Sequence, residues 1–507
     1  MPAISDNSGM SPGLILACIG GYFAFLLLIA WYTSRHATNE SYFLGNRASP
    51  WYAVAFGLIG DSLSGVTFIS VPGQVGKANF SYLQVVFGYV VGYLVIAGIL
   101  LPLYYRLRLT SIYTYLRDRF GPSSQKTGAF FFLVSRTIGA AARLYLTASV
   151  IQLFVFDRWG IHFVTTVATI IGLILLYTYK GGIKTLVWTD TFQSSFLLAG
   201  LVLSVVAVAR QMDWGVVDLF NAVAHSPHSK VFVSDWKHPN FVLKDFLGGA
   251  AIAMAMTGLD QNMMQKNLSC RSLGEAQKNI YSFSIVVVFV NLLFVSLGAF
   301  LYSYSSAKSL AVPKLTDHLF PTLALQHLGT FAAVAFVIGL TAATFSSADS
   351  VLTTLTTSFC VDFLGTERPG KFTEQQKTWS RHAAHIGFSV LLLAVILAFW
   401  AVNEEALIGA VLKIAGYTYG PLLGLFAFGI CCKTRVHDPW VPLVCVVTPA
   451  LCYVLSRNGS KWLGGYGIGY ELLILNGLLT ALGLFLCRRK VGGDPVDLLH
   501  SSALQER

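Results

Sequence analysis

The chain has 507 residues, 55% hydrophobic and only 12% charged, with a net charge of +11. That composition excludes an ordinary soluble globular protein, and apolar runs of 18 or more residues along the whole length mark a polytopic helical membrane protein. The positive charge lies in short loops between apolar segments, so it speaks for orientation rather than for nucleic-acid binding; the 8 cysteines form no C-x-x-C pair and read as apolar fillers, not as disulfides or a metal site.

In chain order the pattern predicts about thirteen transmembrane spans, each near the roughly 20 residues a bilayer needs. Span zero covers 13–33 and spans one to five cover 51–73, 80–104, 127–155, 161–178 and 186–209. Spans six to ten cover 245–265, 280–304, 331–360, 380–402 and 405–430; spans eleven and twelve cover 439–456 and 469–487. Between spans two and three, the basic amphipathic stretch SIYTYLRDRF (111–120) is expected at the membrane interface. Glu404 and Glu405 are expected as a solvated start to span ten.

One alternating set of loops collects most of the basic residues, among them Arg35, Arg47, Arg106, Arg119, Lys266, Arg271, Arg381, Lys433 and Arg488. The bias over the opposite set is about two to one, which makes the first set cytoplasmic, the N-terminus external and the C-terminus cytoplasmic. Short loops point to a bacterial inner membrane.

Spans one and six share a feature. GLIGDSLSG (57–65) and AMTGLDQNMM (255–264) each interrupt an apolar span with glycine and polar residues, and each carries an acid, Asp61 and Asp260. Paired interrupted helices in two halves of opposite topology point to a transporter binding site, because unwound backbone is tolerated only where it lines a cavity. The halves would be 51–209 and 245–430, with 13–33 as an extra first helix, 439–487 as extra C-terminal helices and 491–507 as a short cytoplasmic tail. The whole of 1–507 then forms a single membrane domain.

Span eight carries the chemistry most plainly. VIGLTAATFSSADSVLTTLTTSFCVD (337–362) is crowded with hydroxyls and holds an acid, Asp349, at its centre. An ionisable residue at that depth must face a cavity or the bundle interior. Ser346 and Ser347 offer adjacent hydroxyls to a hard cation such as sodium, and broken-helix carbonyls can complete its shell. Asp349 and Ser350 follow Ser346 by three and four residues and share its face. Asp190 in span five is a third oxygen source. The ordinary role of a single Ser or Thr in such a helix is to bond the i−4 carbonyl or a neighbouring helix.

Four stretches carry a specific resemblance: YTYKGGIKTLVWTDTFQ (177–193), DQNMMQKNLSCRSLGEAQK (260–278), ATFSSADSVLTTLTTSFCVDF (343–363) and YTYGPLLGLF (417–426). Together they resemble motifs of the sodium/solute symporter family, which includes sodium–glucose and sodium–sialic acid cotransporters, over about residues 10–490. The resemblance implies an all-α LeuT-type bundle, five helices plus five inverted, with extra helices at both ends. It implies a first sodium site from the carbonyls of Gly60, Leu63 and Ala343 and the hydroxyls of Ser346 and Ser347. It also implies a second sodium near Asp190, with Asp349 and Ser350 among its partners; Asp349 departs from the small or hydroxyl residue of several relatives. The stretch SLSGVTF (62–68) resembles the sialic acid symporters, which implies ligand contacts from Ser62, Ser64 and Thr67. Gln84, Asp260 and Gln261 stand where relatives carry ligand-binding polar residues.

Three cations lie inside the bundle's spans. Arg136 and Arg143 are seven apart and nearly on one helical face, and Lys413 lies in span ten. They can clamp an anionic substrate or pair internally with Asp61, Asp260 or Asp349.

The expected function is sodium-coupled secondary active symport of a small polar organic solute, a sugar, sialic acid or other organic anion, by alternating access. The alternatives are proton coupling in the same fold, or a transporter-like solute sensor, against which the short tail after Lys490 argues. No nucleophile with its base, phosphate loop or metal cluster suggests an enzyme. The expected partners are Na+, the small-molecule substrate and the lipid bilayer, with no nucleic acid and no obligate protein partner.

Overall fold

Helices stand at each expected span, as they must where backbone polar groups cannot bond to water. The computed structural model describes residues 12–33, 35, 39–368, 370–402 and 407–489. Glu404, Glu405 and the tail from 490 onward lie outside the described residues. Eight helices are long and apolar enough to cross a membrane, or eleven when each of three bent pairs counts as one, and Phe163–Tyr179 and Leu472–Leu486 are shorter apolar helices at the remaining positions.

The breaks in spans one and six fall where the glycine and acid clusters place them. Trp51–Ser62 and Gly65–Ala78 meet at 56°. The chain leaves the helix at Leu63 (φ −95°, ψ 73°) and Ser64 (φ −74°, ψ 176°). Val242–Gly258 and Gln261–Leu268 meet at 62°. There Asp260 leaves helical geometry (φ −109°, ψ 120°), and its carboxylate accepts from the amides of Asn262 (2.9 Å) and Met263 (3.2 Å). It is a capping residue first, satisfying donors that a new helix leaves open. Span ten is also bent, by 42° between Val411–Thr418 and Gly420–Cys431; Pro421 lacks the N–H that would continue the helix. Spans four and five run together as Phe163–Gln211, interrupted at Gly182 (φ +55°, ψ −155°), a conformation suited to glycine.

Span eight, Gly329–Ser358, is unbroken and buried on every side from Leu340 to Ser358. It packs against the helices of spans one, three, five and nine. Four of its hydroxyls do what such hydroxyls ordinarily do: Thr341, Thr354, Thr356 and Thr357 donate to i−4 carbonyls at 2.6–3.0 Å.

The stretch 111–120 packs one face against the protein, with Arg117 and Asp118 exposed. Ile112, Tyr113 and Leu116 are fully buried, and the Tyr113 hydroxyl donates to the Leu259 carbonyl at 3.1 Å. Its apolar face meets the broken span six instead of lipid.

Candidate functional site

Two clusters lie beside the break in span one, built on its neighbouring residues Gly60 and Asp61. The first is an oxygen cage. Ser347 Oγ lies 3.3 Å from the Gly60 carbonyl and 3.4 Å from that of Ala343. These are the edges of a cage around a hard cation: bonds of roughly 2.3–2.6 Å put neighbouring oxygens about 3.3–3.7 Å apart in octahedral geometry. Ser346 Oγ is buried, packs against Gly60 and has no hydrogen-bond partner among the described residues. A fully buried hydroxyl without a partner is unfavourable, and an ion seated against Gly60 would satisfy it. Glycine is required at 60 because a β-carbon there would overlap Ser346 Oγ and approach Ser194 Oγ, which accepts from the Gly60 amide at 2.9 Å. Leu63 sits at the break itself, three residues on.

The second cluster is an ion network. Lys266 comes from Gln261–Leu268 and is fully buried. Its ammonium contacts the carboxylates of Asp61 and Asp190 and lies 2.7 Å from Ser350 Oγ. Ser350 Oγ is 3.3 Å from Asp190 Oδ2. Asp190 and Ser350 therefore come together as expected, but around a lysine. Asp349 faces away from them and accepts from the Tyr177 hydroxyl at 2.8 Å. It pairs with neither Lys413 nor an arginine among the described residues. Lys266 was missed because a cation near the end of a span counts as a loop charge; its signal was its place in the helical motif after Asp260, near two buried acids in need of a partner.

Beside these clusters lies a narrow, partly open cavity of about 90 Å³. Ser62, Ser64, Thr67 and Asp61 line it from the break in span one. Tyr82, Tyr89 and Tyr93 line it from span two, and Ile252, Met256 and Thr257 from span six. Val411 and Leu412 close it from span ten. Arg136 and Arg143 both reach it from span three, as their spacing implies.

The two arginines differ. Arg136 Nε donates to Asp260 at 2.6 Å, and Tyr419 donates to the same carboxylate oxygen at 2.6 Å. Arg143 is buried, lines the cavity, and forms no hydrogen bond or ion pair among the described residues. A guanidinium held this way presents its fork of donors to whatever enters.

Four residues expected as ligand contacts do not line this cavity. Gln84 spends its amide on the connection between spans five and six and on the start of span six: it donates to Asn240 (3.1 Å) and Asp245 (3.0 Å) and accepts from the Val233 amide (3.0 Å). Gln261 accepts from the Ile112 amide and donates to the Thr110 carbonyl, both at 2.9 Å. Asp260 caps a helix and holds Arg136. Lys413 is exposed, whereas its neighbours Val411 and Leu412 face the cavity, so its side chain leaves the bundle. In each case the residue type fits a polar site, but local partners consume it or helix rotation turns it away.

The profile of the sodium:solute symporter family matches residues 42–437. The Sodium/sialic acid symporter SiaT of Proteus mirabilis is 25% identical over 92% of this chain and 94% of its own length. Sodium-coupled monocarboxylate transporter 1 of Mus musculus is 29% identical over 82% of this chain and 67% of its own. Among solved structures, one of a Na+-coupled sialic acid symporter in a substrate-bound outward-open state matches with a TM-score of 0.80 and 21% identity, covering 94% of this chain and 99% of that one. Mhp1, a nucleobase-cation-symport-1 transporter, matches with a TM-score of 0.54. The fold is thus the LeuT type, an all-helical bundle with two discontinuous helices at its centre.

Proposed function

The chain belongs to the sodium:solute symporter family, and on that premise we propose that it imports a small organic carboxylate, held under Arg143. Sodium is the coupling ion and the protein is a multi-pass membrane transporter. The observation that carries the carboxylate reading is a buried guanidinium without a protein partner, facing a cavity that lies against the sodium cage. A carboxylate supplies the bidentate acceptor such a group needs. The hydroxyls of Ser62, Ser64, Thr67 and Thr257 offer bonds to a polar body, and Ile252, Met256, Val411 and Leu412 offer an apolar wall. Sialate and monocarboxylates, named for the relatives above, share this one group.

The first sodium sits among the carbonyls of Gly60, Leu63 and Ala343 and the hydroxyls of Ser346 and Ser347. Because Ser62 and Ser64 flank Leu63, an ion that orders the break also orders the substrate hydroxyl contacts. Each ligand then raises affinity for the other, by the same factor in both directions. The repeats 51–209 and 245–430 rock against each other around the site, with the N-terminus outside and the C-terminus in the cytoplasm of a bacterial inner membrane.

The test is uptake into proteoliposomes under an inward sodium gradient with labelled carboxylates, their amides and neutral sugars. Carboxylates are taken up and compete; amides and neutral sugars are not. Arg143→Ala lowers kcat/KM about 100-fold, roughly 2.7 kcal/mol, and Arg143→Lys retains part of it. Equal competition by a neutral sugar, or an unchanged Arg143→Ala, would overturn the reading.

A further inference from the structure

We propose that Lys266 is a built-in cation that fills the second cation position, so that this transporter binds one sodium per cycle. The position offers oxygens of the kind a hard cation takes: carboxylates from Asp61 and Asp190 and the hydroxyl of Ser350, all buried. Oxygens of this kind bind metal cations, yet here an ammonium has them. An ammonium has three donors, and Lys266 has three acceptors, one from each of those residues. Nothing of its charge or its hydrogen-bonding capacity is left over.

The neighbouring cage has the opposite character. Ser346 Oγ has no partner there among the described residues, and no protein cation reaches it. Asp61 Oδ2, Asp190 Oδ2 and Ser350 Oγ are therefore held by a cation of the chain itself, whereas Ser346 Oγ awaits an ion. A sodium placed on Asp190 beside Lys266 would set two positive charges in contact in a medium of low dielectric, where like charges repel strongly. Lys266 also ties the inner half of broken span six to the break in span one and to spans five and eight. It thus gives the bundle, through a charge that cannot leave the protein, the cross-link that a second ion would give while bound. The second oxygens of both acids, Asp61 Oδ1 and Asp190 Oδ1, lack partners among the described residues. Removing the ammonium would leave Asp61 Oδ2, Asp190 Oδ2 and Ser350 Oγ around the space it fills.

The inference rests on the first-cage reading but not on the identity of the solute, because it is tested by sodium binding alone. Radiolabelled sodium is titrated onto the purified full-length protein without substrate, and bound ions are counted per chain. The wild type binds one, with a hyperbolic isotherm. Lys266→Ala binds two, and Lys266→Arg, which keeps the cation, returns to one. The double variant Lys266→Ala with Asp190→Asn removes both charges together; it binds one and answers the question should the single variant fail to fold. Two sodium ions in the wild type would overturn the inference. So would one ion in a monodisperse Lys266→Ala, or two in the double variant. No sodium in the wild type would overturn the first cage and this inference with it, whereas failure of the carboxylate panel would leave the sodium count standing.

Discussion

Ser346 and Thr341 are both buried hydroxyls on one helix, and their surroundings separate them. Thr341 donates to the Val337 carbonyl at 2.6 Å, so its oxygen is spent within its own helix. Ser346 has no such partner and faces Gly60. Ser346→Ala and Ser347→Ala are therefore expected to raise the sodium concentration for half-maximal uptake about tenfold, roughly 1.4 kcal/mol, at unchanged expression. Thr341→Ala should leave it within about twofold, and sodium activation curves in proteoliposomes check all three. The same contrast divides the arginines. Arg136 is held by Asp260 at 2.6 Å, and truncating one member of a buried pair strands the other's charge, typically at about 3–5 kcal/mol. Arg136→Ala should lose folded protein, whereas Arg143→Ala should lose transport with the fold retained. Thermal unfolding in detergent beside uptake separates the two. The hydroxyl pair, the acid at 190 and the two arginines were legible from residue type and spacing. Which arginine is free, and that Lys266 closes the second cluster, were not, because pairing depends on contacts between residues more than 70 positions apart in the chain.

At the scale of elements, the discontinuities in spans one and six stand where glycine and an acid interrupt apolar sequence. Their cause is local: Asp260 caps the helix that follows it, so sequence alone can place it. Gly182 is another local device, with φ at +55° and the Tyr42 side chain packed against it. Gly182→Ala should destabilise the protein by about 1–3 kcal/mol, seen as a lowered Tm. Gln84 shows where reading by element fails. It lies in a span beside the cavity, yet its side chain is fixed to Val233 and Asn240 of the connection before span six and to Asp245 at the start of that span. Gln84→Ala should leave substrate KM within about twofold while limited proteolysis finds the 225–240 segment more readily cut. A large rise in KM with an unchanged digest would restore Gln84 to the substrate site.

For the whole molecule, the distribution of basic residues predicts that the end carrying Lys433 and Arg435 faces the cytoplasm. Cys431 is exposed near that end. A membrane-impermeant maleimide should label it in inside-out vesicles and not in intact right-side-out ones; the reverse would invert the topology. Cys270, in the connection between spans six and seven, is an internal control. Burial pushes its thiol up to about 12, so below that pH it stays neutral, and since the thiolate is the nucleophile it should remain unlabelled at pH 8 until the protein unfolds. The sequence by itself determined that the chain spans a membrane many times, that spans one and six are interrupted, and that span eight offers hydroxyls to a cation. Those properties follow from hydropathy, helix capping and residue chemistry, all of which act over one or two helical turns. Only the tertiary structure decided that Lys266 meets Asp61, Asp190 and Ser350, that Asp349 bonds Tyr177, that Gln84 and Gln261 are held by partners away from the cavity, and that Arg143 is left facing the cavity. Each is a choice among partners on different helices, set by how the helices are rotated against one another, and a single chain read in order does not contain that rotation.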